Sequence, residues 1–366
     1  MNLREGRIGQ QEAICAVTLA MSCKLIFVPQ TLFVGTGNTA WYSTLLTAIW
    51  AVLLFVMALA LMRRTGSPGL LEALDCSLGK VLGTACRAAW IGVLFMGAGA
   101  VAGEFVGMLS QYVMPRSPLW FLILLILCGA FPAAWMGFET IGRLSKIFMV
   151  MFVAAAALLF AGTLQHFESY RLYPILGGGI GRPVGDSLTR LTLVGDVFFM
   201  ATLTKTMQGK RFIARSGIAA LGFSGGIAAL VMLCMALVFS APMLEKITVP
   251  IFKAAAMTSF GGEFSRMEGI FVFVWIMCVA MSTAFSLYGC SNLYCKTFDM
   301  RDIRAALTAF GVLMFLWCSF AAENSPVYRT IIAAVERYGY LLVVAPVVLG
   351  FLVSLLQKRG KYEQQA

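Results

Sequence analysis

Hydrophobic residues in this chain fall into long apolar runs separated by short polar connections. A helix rising 1.5 Å per residue needs ~20 such residues to cross a ~30 Å hydrocarbon layer. That rule predicts ten spans: Ile14–Phe33, Tyr42–Met62, Ala88–Val113, Leu119–Met136, Lys146–Leu164, Leu188–Met207, Ile218–Val238, Ile270–Tyr288, Ala305–Phe320 and Tyr340–Leu356. Run length selects helices, because barrel strands would leave alternating segments of ~10 residues. The expected fold class is an all-α integral membrane protein, with residues 1–366 forming one transmembrane domain.

Composition agrees. Of 366 residues, 60% are hydrophobic and 12% charged, and the mean hydropathy is +0.85. A soluble protein carries roughly 25% charged residues to cover its surface, so a water-soluble enzyme and a disordered chain are both excluded. The net charge of +11 sits in the connections rather than in one basic stripe, which argues for a positive-inside bias and against nucleic acid. With the N-terminus inside, 18 Lys/Arg fall at inner connections and span ends and 9 at outer ones, so both termini are expected in the cytoplasm. Met1 to Glu12 is polar and the run after it lacks a small-residue cleavage motif, so the first span is expected to be retained. Six of the ten cysteines lie inside apolar runs and no CxxC occurs, which predicts neither disulfides nor zinc. The one histidine, His166, falls in a connection. With no nucleophile–base pair and no ligand cluster, no enzyme, cofactor or metal site is expected.

Charges inside spans are costly, about 2.5–3.5 kcal/mol each on insertion scales. Lys24, Glu104 and Asp196 lie inside the first, third and sixth spans. Counting from the span ends puts each roughly 12–17 Å deep, near the bilayer centre. One polar chamber holding an ammonium and two carboxylates is the economical expectation; a purely structural ion pair is the alternative. Lys146, at the inner end of the fifth span, can reach the headgroups by extending its stem.

Local sequence marks the same places. Met21-Ser22-Cys23-Lys24 interrupts one apolar run, with Pro29 beyond it, and Gly195-Asp196 interrupts another. Broken helices at matching places in two halves point to a transporter's binding site. The halves are expected at 8–164 and 188–357. Ser22, Cys23, Lys24, Glu104, Gly195, Asp196, Ser282 and Thr283 are the candidate ligand-binding residues, and Ser286 shares the face of Ser282 and Thr283. A zwitterionic amino acid suits such a chamber. Gly97, Gly99 and Gly103 slim the third span beside Glu104, through close helix packing or ligand access. Among the outer connections, Gly177–Gly181 reads as a flexible turn, Val249–Phe260 as a short interfacial helix, and Ala321–Gly339 as a long link.

Several motifs resemble the GerAB-type spore-germination permeases over nearly the whole chain. They are Gly9-Gln10-Gln11 with Pro29, Glu139 to Ser145, Leu172-Tyr173-Pro174-Ile175-Leu176, Gly195-Asp196, and Arg266-Met267-Glu268 followed by Trp275. The resemblance implies a ten-helix, LeuT-type inverted repeat of the amino acid–polyamine–organocation superfamily, with helices 1 and 6 broken. It also implies a membrane-embedded germinant-receptor subunit that binds a small nutrient between spans one, three, six and eight. The companions so implied are a large membrane subunit and a lipoprotein, and the location is the cell membrane, or the spore inner membrane of a spore former. Lys24 stands where that family usually has a small residue, Lys146 where a glutamate is common, and Asp196 also in place of a glutamate. An ammonium at Lys24 or Lys146 is thereby a candidate stand-in for a sodium ion. A proton-coupled amino acid transporter, with Glu104 or Asp196 titrating, is the alternative function.

Overall fold

Peptide groups in hydrocarbon have only their own chain to bond with, so the apolar runs fold as helices. A computed structural model describes residues 8–27, 37–175, 179, 181–204, 207–244, 246–247, 249–257, 268–323 and 325–357, among which there is no β-strand. Pro29, Gly177, Gly178, Ile180, Arg266 and Met267 lie outside the described residues. The helices are α1 (Gln10–Phe27), α2 (Ala40–Arg64), α3 (Leu70–Leu78), α4 (Lys80–Met108), α5 (Leu119–Trp135), α6 (Phe138–Thr163), α7 (Gly181–Thr189), α8 (Asp196–Met200), α9 (Lys210–Val238), α10 (Ala241–Leu244), α11 (Pro250–Met257), α12 (Glu268–Phe298), α13 (Ile303–Ala322) and α14 (Pro326–Leu356). Among the described residues seven of them, α2, α4, α6, α9, α12, α13 and α14, are long and apolar enough to cross a membrane. The chain is thus an all-helical, multi-pass membrane protein.

Several expected boundaries move. The link expected over Ala321–Gly339 is largely helix, because α14 starts at Pro326. The Ser325 hydroxyl accepts the Tyr328 backbone N–H at 3.2 Å, capping α14, and proline in the first turn forgoes an N–H that has no helical partner. At α13 the Asp302 carboxylate accepts the Arg304 N–H at 2.9 Å. α4, α6, α9 and α12 likewise outrun their apolar cores, since the backbone ladder continues into polar sequence. α3 was not expected; it is a short amphipathic helix burying Leu70, Leu71, Ala73 and Leu74. Gly137, at φ 100, allows α5 to turn directly into α6, a conformation that a Cβ would strain. α11 forms within Val249–Phe260 and buries Ile251 and Phe252 against the bundle, with the Phe252 ring 5.1 Å from that of Tyr112.

α12 is the central helix, with 78% of its apolar stretch buried against 28% for α6. α1 is sandwiched between α6, α9 and α12, with α4 and α8 also touching it. Small residues allow close crossings: a Cβ on Gly103 would lie 2.1 Å from that of Ala321, and one on Gly225 2.4 Å from that of Ala48. At one end of the bundle, cations satisfy carbonyls that helix ends leave unbonded. Arg64 Nε donates to Ser354 O at 2.7 Å, Lys210 Nζ to Met62 O at 2.9 Å, and Lys296 Nζ to Thr202 O.

Candidate functional site

The sixth apolar run breaks where the sequence predicts. α7 gives way to a 3-10 segment, Arg190–Val194, and regular helix resumes at Asp196 as α8. Arg190 fastens the interrupted segment to α2, donating to Ala40 O at 3.3 Å and to Thr44 Oγ1 at 3.4 Å. Helix starts seven residues earlier than the expected span and α8 ends at Met200 rather than Met207. α1 differs. It runs unbroken through Met21–Lys24 to Phe27, so the interruption expected there is absent from the described helix. An ammonium in the last turn of a helix meets the negative end of its dipole, and this one also meets a carboxylate, so the backbone need not unwind to tolerate it.

Lys24 Nζ lies 2.8 Å from Asp196 Oδ1, with 4% and 0% of the two side chains exposed. Lys24 also donates to Ser286 Oγ on α12 at 3.4 Å. Gly97 of α4 leaves space for the lysine stem: a Cβ there would sit 3.7 Å from Lys24 Cε. Asp196 Oδ2 is buried without a hydrogen-bond partner among the described residues. Three helices and one glycine therefore build a closed charge pair, α1 giving the cation, α8 the anion and α12 a hydroxyl.

The other predicted residues divide. Cys23 is buried within electrostatic reach of Lys24, Asp196 and Cys278. Ser282 donates to Ala20 O at 3.2 Å, bonding α12 to α1 one turn before Lys24. Thr283 Oγ1 is buried without a partner among the described residues. Gly195 borders a narrow cleft with Trp90, Val93, Phe199 and Val343, with room for about one water. Ser22 is buried but lies two residues from Lys24, about 200° around the helix, and faces away from the pair. Phe138 of α6, Phe199 of α8, and Phe285 and Tyr288 of α12 form an aromatic cluster, with the Phe199 and Phe285 rings 5.4 Å apart and those of Phe138 and Tyr288 stacked at 5.7 Å.

Glu104 is not part of this chamber. Lys24 is level with Gly97, and Glu104 lies seven residues further along α4, which is ~10 Å away on the same face. Its charged neighbour is Glu336 on α14, with Tyr328 beside both. The even-depth estimate compared positions counted from different span ends, and the structure sets Gly97, not Glu104, beside the lysine stem. Gly99 and Gly103 serve packing, receiving Trp317 and Ala321 of α13. Lys146 is exposed on α6 and acts on Cys15, which is nine residues (~13 Å along α1) from Lys24, so it does not join the pair either. Glu336 and Tyr328 escaped the sequence reading because they precede the last apolar run; the Ser325-Pro326 helix start was the signal for them.

The family described as Spore germination protein matches residues 12–326. Spore germination protein A2 of Bacillus subtilis (strain 168) is 23% identical over 345 residues, covering 91% of this chain and 92% of that protein. Spore germination protein YndE of the same organism is 23% identical over 363 residues, covering 96% and 97%. Among solved structures, a Na+-coupled sialic acid symporter in a substrate-bound outward-open state superposes with a TM-score of 0.64 at 12% identity, covering 93% of this chain and 79% of that one. A manganese transporter of Eremococcus coleocola gives a TM-score of 0.61 at 12% identity, covering 93% and 76%. At that identity the structures establish a shared fold, that of the LeuT-type transporters. This chain belongs to the spore germination protein family, as a non-enzymatic membrane permease with a transporter fold.

Proposed function

We propose that the protein is the nutrient-sensing permease subunit of a germinant receptor and binds a small amino-acid-type ligand at Lys24 and Asp196. The observation that supports this is a fully buried ion pair whose carboxylate keeps Oδ2 without a partner among the described residues. A buried pair adds little net stability over well-packed apolar side chains, so stability alone is a poor reason for it. A zwitterion offers an exchange: its carboxylate takes the Lys24 ammonium, its ammonium takes Asp196, and every charge stays paired. Cys23, Gly195, Ser282, Thr283 and Ser286 supply the walls. The built-in ammonium of Lys24 does the work of a sodium ion, which makes binding independent of sodium.

Around this site the reading extends to ten spans in two repeats, 8–164 and 188–357, with both termini cytoplasmic as the Lys/Arg distribution argues. The location is the cell membrane, and the spore inner membrane where the host forms spores. A large membrane subunit and a lipoprotein are the companions to which a change in helix packing would pass.

The experiment is a screen of the purified protein for thermal stabilisation by amino acids, because a ligand specific to the folded state raises its stability. Stabilisation by at least one amino acid, unaffected by replacing sodium with choline and lost in Asp196→Asn, is expected. Equal stabilisation of Asp196→Asn would move the site elsewhere. A proton-coupled amino acid transporter is the second reading, favoured by the shared transporter fold. Uptake of the stabilising amino acid into proteoliposomes under a pH gradient would select it over a receptor.

A further inference from the structure

We propose that a recess between α6 and α9 binds one anionic phospholipid, with an acyl chain lodged in the recess and the phosphate held by Lys146. The site stands apart from the amino-acid reading above. α6 carries four successive alanines at 154–157, and side chains that short leave a hollow against the facing helix. The hollow measures about 130 Å³ and is walled by Val153, Ala157, Phe160, Ile227, Leu230 and Val231. That is close to the ~150 Å³ of an apolar protein cavity that stays dry and takes up a benzene-sized guest. Val153 and Leu230 on its rim are each 46% exposed, so the mouth opens sideways from two membrane-crossing helices into hydrocarbon. The medium at the mouth is acyl chain, and the end of one such chain matches the hollow in both size and polarity.

Charge selects the lipid and the direction in which it lies. Lys146, Val150, Val153, Ala157 and Phe160 follow one another at steps of three and four, so they line one face of α6. Lys146 is exposed and makes no ion pair among the described residues. The carboxylates at that end are engaged: Glu139 pairs with Arg143, and Glu12 accepts the Gly9 backbone N–H at 3.0 Å. At the opposite end α6 and α9 meet, with Thr163 Oγ1 3.2 Å from Cys234 Sγ, and the recess stops there. Beyond that contact Arg171 is committed to Val238 O and to Glu168. Counted back from the contact, Lys146 is 17 residues along α6 and the exposed Arg215 is 19 along α9, so two cations share one level. From Lys146 to Val153 and Ala157 is ~10 and ~16 Å along the helix. An acyl chain of one leaflet spans ~15 Å, half of a ~30 Å core. A phosphate at Lys146 therefore sets its chain end in the recess.

The test places the full-length protein in phosphatidylcholine liposomes doped with a phosphatidylglycerol that carries a photoactivatable diazirine near the end of one chain. After illumination, labelled peptides are expected from residues 153–160 of α6 and 227–231 of α9. Unlabelled phosphatidylglycerol is expected to suppress that labelling, and extra phosphatidylcholine to leave it unchanged. Lys146→Gln removes the phosphate contact and is expected to weaken the labelling about fivefold. Ala157→Trp fills the recess and is expected to abolish it. Labelling spread evenly over the lipid-facing helices, or unchanged in either variant, overturns the proposal. So does a recess that is labelled in liposomes and protected in native membranes, because a companion protein would then occupy it. Should Ala157→Trp fail to fold, Lys146→Gln and the map of labelled peptides still decide it.

Discussion

Removing one member of the Lys24–Asp196 pair should do more harm than removing both. At 2.8 Å, with an effective dielectric of about 20, Coulomb's law gives an attraction of about 6 kcal/mol. Burying the two ions costs several kcal/mol each, so the net worth of the intact pair is small. Lys24→Met leaves Asp196 with neither oxygen partnered by the ammonium, in a site where its side chain is 0% exposed. Asp196→Asn leaves the lysine with Ser286 alone, at 3.4 Å. Each single change should therefore cost about 3–5 kcal/mol. The double change Lys24→Met/Asp196→Asn leaves no buried charge and should cost clearly less than the sum, with a coupling energy of about 2 kcal/mol or more. Reversible denaturation of the four proteins in mixed micelles measures that coupling. Additive losses, with coupling below about 0.5 kcal/mol, would refute the idea that the two groups act as one buried unit. The double variant should also fail to bind any amino acid that stabilises the wild type, which separates folding from recognition.

Packing and caps give further expectations. Gly103→Ala drives a Cβ to 2.1 Å from that of Ala321, so it should cost about 1–3 kcal/mol, and Ala321→Gly should restore much of the loss in the same denaturation assay. Gly97→Ala meets the lysine stem at an ordinary 3.7 Å, so the fold should survive while ligand-induced stabilisation weakens if the stem has to move. Asp302→Ala removes the cap of α13 and should cost about 1 kcal/mol, read as a lower melting temperature with unchanged ligand response. A cysteine placed at the exposed Tyr170 should react with an impermeant maleimide from outside intact cells, and protection there would reverse the proposed orientation.

The fold was legible because hydrocarbon imposes a length on apolar helices, and that length is visible as run length. Lys24 and Asp196 were legible for a related reason: a charge in such a run demands a partner, and one cation and one anion at similar depth suggested each other. The α4 residue that meets the lysine stem is Gly97, and Glu104 was grouped with the pair because its depth was counted from the end of its own apolar run. Its actual neighbour, Glu336, sits in a polar part of α14 that composition alone reads as a connection; only Ser325-Pro326 hints otherwise. The unbroken course of α1 through Met21–Lys24 was hidden because polar residues can mark either an unwound turn or a paired side chain. Which one holds is decided by residues far away in the chain.

Lys24 and Asp196 are 172 residues apart. At a synthesis rate of roughly 5–20 residues per second, the lysine leaves the ribosome roughly 9–34 s before its carboxylate exists. Throughout that interval the first helix carries an unpaired ammonium, which on insertion scales disfavours its transfer into lipid by about 2.5–3.5 kcal/mol. The nascent chain must keep that helix at the translocon, or at the lipid boundary, until the later segment arrives to neutralise it. Changes at Asp196 should therefore lower the yield of inserted protein as well as its stability, and a co-translational protease should find the orphaned first helix before any ligand does.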